Sequence, residues 1–90
     1  MTNYELVLVL GEPVVEQKSW TEKIKKLLGT GGKIEKEENW GRKKLAYPIQ
    51  KHEEGVYLFY LLWAMAPDLK ILEAKLKLEE KILRYLIIKN

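Results

Sequence analysis

The sequence lacks cysteine and has one histidine, His52, among its 90 residues. Without cysteine there are no disulfides, no thiolate metal sites and no thiol redox chemistry. A lone histidine does not form a metal site without oxygen ligands, and its polar surroundings favour a solvated side chain over a catalytic one. We therefore expect neither a metal ion nor another cofactor.

The sequence also lacks an apolar segment long enough to span a membrane. Its longest apolar run, VYLFYLLWAMA at residues 56–66, has eleven residues, whereas a spanning helix needs about 20. The opening residues MTNYE show neither the basic region nor the cleavage pattern of a secretory signal. We expect a cytoplasmic protein with no membrane partner.

Positive charge is concentrated in one part of the chain. The 16 Lys and Arg exceed the 13 Asp and Glu, for a net charge of +3, and residues 41–52 contain no acidic residue at all. A local basic cluster is typical of contacts with phosphate, although such a net charge is common among soluble proteins. A chain of this length predicts one domain, residues 1–90.

Hydrophobic periodicity and turn residues divide the chain into six elements. Glycines end the first strand and the first helix, and Pro67 with Asp68 begins the second helix. Residues 51–55, KHEEG, predict a polar hairpin loop. The predicted elements are a strand at 4–10, a helix at 14–28, a strand at 33–50 that is interrupted near 39–41, a strand at 56–66, a helix at 67–79 and a strand at 82–89.

This order, β-α-β-β-α-β, predicts an α+β protein with a ferredoxin-like sandwich. In that fold a four-stranded antiparallel sheet carries both helices on one face. Pro48 cannot donate a ladder hydrogen bond, so its strand should lie at an edge of the sheet. Trp20 lies on the apolar stripe of the first helix and is expected in the core.

The strand at 56–66 should be central, and its side chains are apolar at both alternating sets of positions. A sheet face without helices normally carries polar side chains, so an apolar one indicates a partner. Trp63 could still lie under the helices, because a shift of one residue in strand pairing exchanges the two faces. The predicted protein interface consists of Val7, Val9, Tyr57, Phe59, Leu61, Trp63 and Met65.

Three segments carry a resemblance to a known family. WGRKKLAYPIQK at 40–51, EG at 54–55 and KILRYLIIK at 81–89 resemble the ribosomal protein S6 family of the bacterial small subunit. The resemblance spans nearly the whole chain and implies the ferredoxin-like fold and a structural role without catalysis. It also implies binding to small-subunit ribosomal RNA on the ribosome, paired with the eighteenth small-subunit protein, S18.

The resemblance also implies which side chains contact RNA. Arginine and lysine supply phosphate contacts, and a tyrosine can stack or bind a sugar. Basic residues on an edge strand can instead serve only to discourage strand pairing. The candidates are Arg42, Lys43 and Lys44, followed by Tyr47, Lys51, Arg84 and Lys89.

One departure from the family supports an alternative function. Family members carry polar or acidic residues between positions 58 and 67, where this chain has Leu61, Trp63 and Met65. Tryptophan and methionine are enriched at protein interfaces. The alternative is a natural or engineered protein-interaction module on the same scaffold, forming a homo-oligomer or binding a designed partner.

Two further classes share the fold. An RNA-recognition motif places aromatic residues on its third strand, which EGVYLFY echoes, but Glu54 stands where a basic residue is expected. An acylphosphatase-like enzyme needs an arginine in a phosphate-cradling first loop, and GEPVVEQK has none. We therefore expect no enzymatic activity.

Overall fold

The computed structural model of the protein describes residues 1–11, 15–29 and 31–90. The six predicted elements occur in the predicted order. They are β1 Thr2–Leu10, α1 Gln17–Leu28, β2 Lys33–Ile49, β3 His52–Ala64, α2 Ala66–Leu78 and β4 Ile82–Lys89. Helix α1 begins at Gln17, later than expected, and the turn predicted at Pro13 and the helix start predicted at 14 lie outside the described residues.

The four strands form one sheet in the order β2-β3-β1-β4, and every neighbouring pair is antiparallel. Strands β3 and β1 are therefore central, and β2 with its Pro48 lies at an edge, as predicted. Both helices pack against the same face of the sheet, because their apolar stripes join strand residues in one core. The predicted ferredoxin-like sandwich is confirmed.

Alternate residues of the two central strands build that core. Leu6, Leu8, Leu58 and Leu62 are completely buried beneath the helices, and burial of each such side chain stabilises the fold by about 1.5–3 kcal/mol. Trp20 is buried as predicted. The helices contribute Trp20, Ile24, Leu28, Leu69, Leu72 and Leu76.

One polar contact crosses the core between α1, β2 and β3. The Thr21 hydroxyl donates to the Glu37 carboxylate at 2.6 Å and lies 3.1 Å from the Tyr60 hydroxyl. Because a threonine hydroxyl has one hydrogen, Tyr60 must be the donor in the second bond. Tyr60 is completely buried, and this burial raises the pKa of its phenol.

The predicted hairpin loop at 51–55 is wrong. Strand β3 begins at His52, which pairs with Ile49, so only Gln50 and Lys51 form the turn. Both have positive φ, 49° and 69°, as a two-residue type I′ turn requires. The polar residues 52–55 continue the ladder because the β2–β3 ribbon extends beyond the rest of the sheet, where polar side chains are solvated.

The interruption predicted near Asn39 and Gly41 is confirmed as a shift of register. Gly41 has a φ of 80°, and its amide donates to the Asn39 side-chain oxygen at 2.8 Å. Two more shifts occur along β2, between Ile34 and Lys36 and between Lys44 and Ile49. Bulges increase strand twist, so the long edge strand does not run straight beside β3.

Candidate nucleic-acid and protein interface

The face of the sheet opposite the helices, here called the open face, carries the alternate residues of the central strands. On β3 these are Tyr57, Phe59, Leu61 and Trp63, and on β1 they are Asn3, Glu5, Val7 and Val9. The intervening residues from Tyr4 to Leu10 and from Val56 to Ala64 belong to the core, and successive strand residues point to opposite faces. The structure therefore places Leu61 and Trp63 away from the helices.

Met65 differs from the other predicted interface residues. Strand β3 ends at Ala64, and Met65 is the N-cap residue of α2. Its side chain is half exposed, but it does not belong to the sheet ladder that carries Leu61 and Trp63. The last residue of the open-face set on β3 is therefore Trp63 and not Met65. The strand ends before Met65 because Pro67 lies in the first turn of α2.

The open face extends onto β4 through two residues that the sequence prediction did not include. Leu86 and Ile88 are 54% and 45% exposed, and they pair with Val7 and Glu5 on β1. The two-residue period of β4 could have identified Leu86 and Ile88, because the alternate residues Tyr85 and Ile87 pack against the core. These two side chains are the most exposed aliphatic groups on the open face.

Two residues of strand β2 contact aromatic side chains of the open face. Trp40 stacks on Phe59 with ring centroids 5.2 Å apart and an interplanar angle of 10°. The indole N–H of Trp63 donates to the Glu35 carboxylate at 2.7 Å. Trp40 and Glu35 could not be assigned to this face from the sequence, because the register shifts of β2 decide which of its residues reach it.

The β2–β3 ribbon beyond the end of β1, residues 42–55, is here called the hairpin arm. Pairing of β1 with β3 stops at Leu10 and Val56. The arm then crosses over the open face, because Tyr47 on the arm meets Arg84 on β4, the far edge strand. Leu45 on the arm is buried, and so is Val9 beneath it.

The burial of Val9 corrects one part of the predicted interface. Its side chain is 4% exposed, so it cannot contact a partner. Val9 and Leu45 both lie close to the position that a β-carbon on Gly55 would occupy. An intramolecular contact with the arm thus covers this end of the open face, and the accessible apolar part begins at Val7.

Two of the predicted RNA-contacting cations lie at the arm end of the open face. The Lys43 ammonium lies 5.4 Å from the ring centroid of Trp40 and 5.7 Å from that of Tyr57. The Arg84 guanidinium lies 5.8 Å from the ring of Tyr47. Cations at these distances are attracted to the ring faces. The result is an aromatic surface edged by positive charge.

The other predicted cations occupy different sides of the molecule. Arg42 and Lys44 alternate with Lys43 along β2 and so point to the other side of the arm. Lys51 lies in the turn at the tip. Lys89 pairs with Tyr4 whereas Arg84 pairs with Val9, so about 16 Å of strand separates them. The seven candidates do not form one patch.

The residues that the structure describes contain neither a candidate metal site nor a membrane-spanning helix. Among residues 1–11, 15–29 and 31–90, no group of three or more His, Cys, Asp or Glu side chains could hold a metal ion. Within the same residues, no helix is both long and apolar enough to cross a membrane. His52 is exposed at the start of β3.

Comparison with known proteins gives one consistent family. The family model described as ribosomal protein S6 matches residues 3–89. The small ribosomal subunit protein bS6 of Clostridioides difficile is 37% identical over 90 residues, covering 98% of each chain. The bS6 protein of Phocaeicola vulgatus is 41% identical over 93 residues, covering 99% of this chain and 81% of its own. The crystal structure of 30S ribosomal protein S6 from Thermotoga maritima aligns with a TM-score of 0.85 and 28% identity, covering 99% of this chain and 87% of that one.

Proposed function

Because the chain belongs to the ribosomal protein S6 family, we propose that it docks on ribosomal RNA of the small subunit and pairs there with S18. The family consists of structural ribosomal proteins and not of enzymes. The cytoplasmic ribosome is accordingly where this protein works. The hairpin arm supplies the contacts with RNA, and the apolar part of the open face supplies the contact with the protein partner.

The observation that carries the RNA proposal is the arrangement of charge on the hairpin arm. Lys43 lies over the rings of Trp40 and Tyr57 on one side, while Arg42 and Lys44 project from the other. Lysine and arginine neutralise phosphates, and this term dominates affinity for nucleic acids. An arm with cations on both sides is suited to lie between two stretches of RNA backbone.

Mutation of the arm tests the proposal. Affinity for a central-domain fragment of small-subunit ribosomal RNA, with and without S18, is measured by filter binding at several salt concentrations. Replacing Lys43 with alanine should weaken binding and reduce the slope of log affinity against log salt by about 1, as expected for one lost phosphate contact. Arg42→Ala should act in the same direction.

Lys75→Ala is the matched control, because it removes the same charge from an exposed position on α2, on the opposite side of the sheet. It should leave the salt slope unchanged. Lys89→Ala should also have little effect, since Lys89 lies far from the arm. Absence of RNA binding at low salt, both alone and with S18, would refute the proposal, and so would equal losses from Lys43→Ala and Lys75→Ala.

A further inference from the structure

A carboxylate lies in the middle of the accessible apolar part of the open face. Glu5 on β1 is directly opposite Leu61 on β3 and Ile88 on β4. Its next neighbour along the same face toward the arm is Val7, which pairs with Leu86. Glu5 is half-buried. Branched aliphatic side chains therefore flank this charge on both neighbouring strands and, toward the arm, along its own strand, while Asn3 lies on its other side along β1.

Within the described part of the chain, Glu5 makes no hydrogen bond and no ion pair. The nearby Glu35 differs, because it accepts the indole N–H of Trp63. The central strands contribute no cation to the open face. Arg84 pairs with Val9, about 13 Å along the strand from Glu5. On the edge strand β2, Lys36 pairs with Leu61, so one strand separates it from Glu5, and the two side chains form no ion pair in the described structure.

This arrangement restricts what can cover the open face. A partner that buries Leu61, Leu86 and Ile88 also removes water from the Glu5 carboxylate. A wholly apolar partner would leave that charge buried and unpaired, which strongly opposes binding. A phosphate backbone would be repelled. A second copy of the chain carries its open-face cations on the edge strands, with Lys36 on β2 and Arg84 on β4, and none on the central strands that would lie opposite Glu5 in a centred face-to-face pair.

We propose that the open face binds a protein segment that places an arginine on Glu5 and apolar side chains on Leu61, Leu86 and Ile88. Arginine fits best, because its planar guanidinium binds a carboxylate through two parallel hydrogen bonds and loses hydration more readily than lysine. The proposal rests on the proposed function in one respect, namely that a protein partner docks on this face. It adds the chemistry of the docking segment and identifies Glu5 as its anchor.

Selection from a random peptide library tests this chemistry without assuming the identity of the partner. Peptides displayed on phage are selected on the wild-type protein and, in parallel, on Glu5→Gln and Glu22→Gln. Glu22 is an exposed carboxylate on α1, on the helix side, so it controls for net charge. Peptides from the wild type and from Glu22→Gln should be enriched in arginine flanked by apolar residues. Glu5→Gln should lose that enrichment.

Direct binding of S18 separates the inference from the proposed function. Purified S18 is titrated against the same three proteins, whose folding is checked by thermal melts. Glu5→Gln should weaken S18 binding by about 30-fold or more, in the range measured for a broken interfacial charge pair, and Glu22→Gln should bind like the wild type. If S18 fails to bind the wild type while the library result holds, the proposed partner is wrong and the inference stands.

Three outcomes would overturn the inference. The first is a peptide selection that yields nothing, or yields arginine equally on Glu5→Gln. The second is S18 binding that Glu5→Gln leaves unchanged, which would keep the proposed function intact. The third is sedimentation of the wild type as a stable dimer that Ile88→Glu converts to monomer, because a second copy would then occupy the face.

Discussion

Replacing Gly55 with alanine tests whether close packing holds the hairpin arm against the open face. A β-carbon at Gly55 would lie 2.6 Å from the Val9 Cγ1 atom, 3.4 Å from the Leu10 carbonyl oxygen and 3.5 Å from the Leu45 Cδ2 atom. Gly55 is not among the residues with positive φ, so its backbone tolerates alanine. The obstacle is therefore steric, and it comes mainly from one methyl group of a buried valine.

The expected cost follows from two opposing effects. Overpacking by one methyl group destabilises a well-packed site by about 1–3 kcal/mol. Replacing glycine with alanine also lowers the conformational entropy of the unfolded chain, which stabilises the native state by about 0.4–1 kcal/mol. We expect Gly55→Ala to lower the free energy of unfolding by about 1–2 kcal/mol. For a domain of this size each kcal/mol corresponds to about 4–8 °C in Tm.

A double-mutant cycle with Val9→Ala identifies the cause. The four proteins are compared by urea unfolding. Val9→Ala alone removes a buried branched side chain and should also destabilise, but it deletes the atom that a β-carbon at position 55 would strike. The double mutant should therefore be more stable than the sum of the single effects by about 1 kcal/mol.

Gly41→Ala is the control for glycine replacement as such. Apart from its chain neighbours, no atom of the described residues lies within 4 Å of its β-carbon position, so the obstacle is its φ of 80°. It should cost about 1–2 kcal/mol through backbone strain, with no coupling to Val9→Ala. Additivity of Gly55→Ala and Val9→Ala within about 0.3 kcal/mol would refute the steric account, as would a neutral Gly55→Ala.

Two further predictions concern the turn and the core. The double variant Gln50→Asn, Lys51→Gly places the residues preferred in a type I′ turn at two positions with positive φ. It should raise the free energy of unfolding by about 1 kcal/mol, and a loss of stability in urea melts would contradict the turn assignment. Tyr60→Phe should lose about 1 kcal/mol at pH 7 with the bond to Thr21. Burial raises the pKa of the native Tyr60 phenol above 10.0, so above that pH the unfolded state binds fewer protons and stability falls. Tyr60→Phe should therefore reduce the fall in the free energy of unfolding above pH 10.0. The same replacement at exposed Tyr47 is the control. If stability falls equally steeply with pH in the wild type and in Tyr60→Phe, the reasoning is wrong.

The fold could be predicted because its signals are local. Alternation with a period of two is a property of each strand, so the two sets of residues on β3 are evident without coordinates. Alternation does not say which set lies under the helices. Packing decided that question, since Leu58 and Leu62 fit beneath α1 and α2 and so turn Leu61 and Trp63 outward.

The candidate site could be predicted only in part, because it depends on relations across strands. Register shifts in β2 bring Trp40 onto Phe59, and no local signal fixes how far an edge strand slips. The curl of the arm buries Val9, which sequence analysis had assigned to the interface. Arg84 meets Tyr47 because the arm crosses over to β4, and no local signal in the sequence indicates that crossing.

The sequence by itself determined the order of elements, the family and the presence of a central strand whose side chains are apolar on both faces. These follow from periodicity, turn residues and a specific motif, which all act over a few neighbouring residues. Only the tertiary structure decided that Glu5 lies between Leu61 and Ile88 and that, among the described residues, it has no ion-pair partner. Its surroundings come from β3 and β4, about 60 to 80 positions away in the chain, and such contacts are fixed by packing and register together.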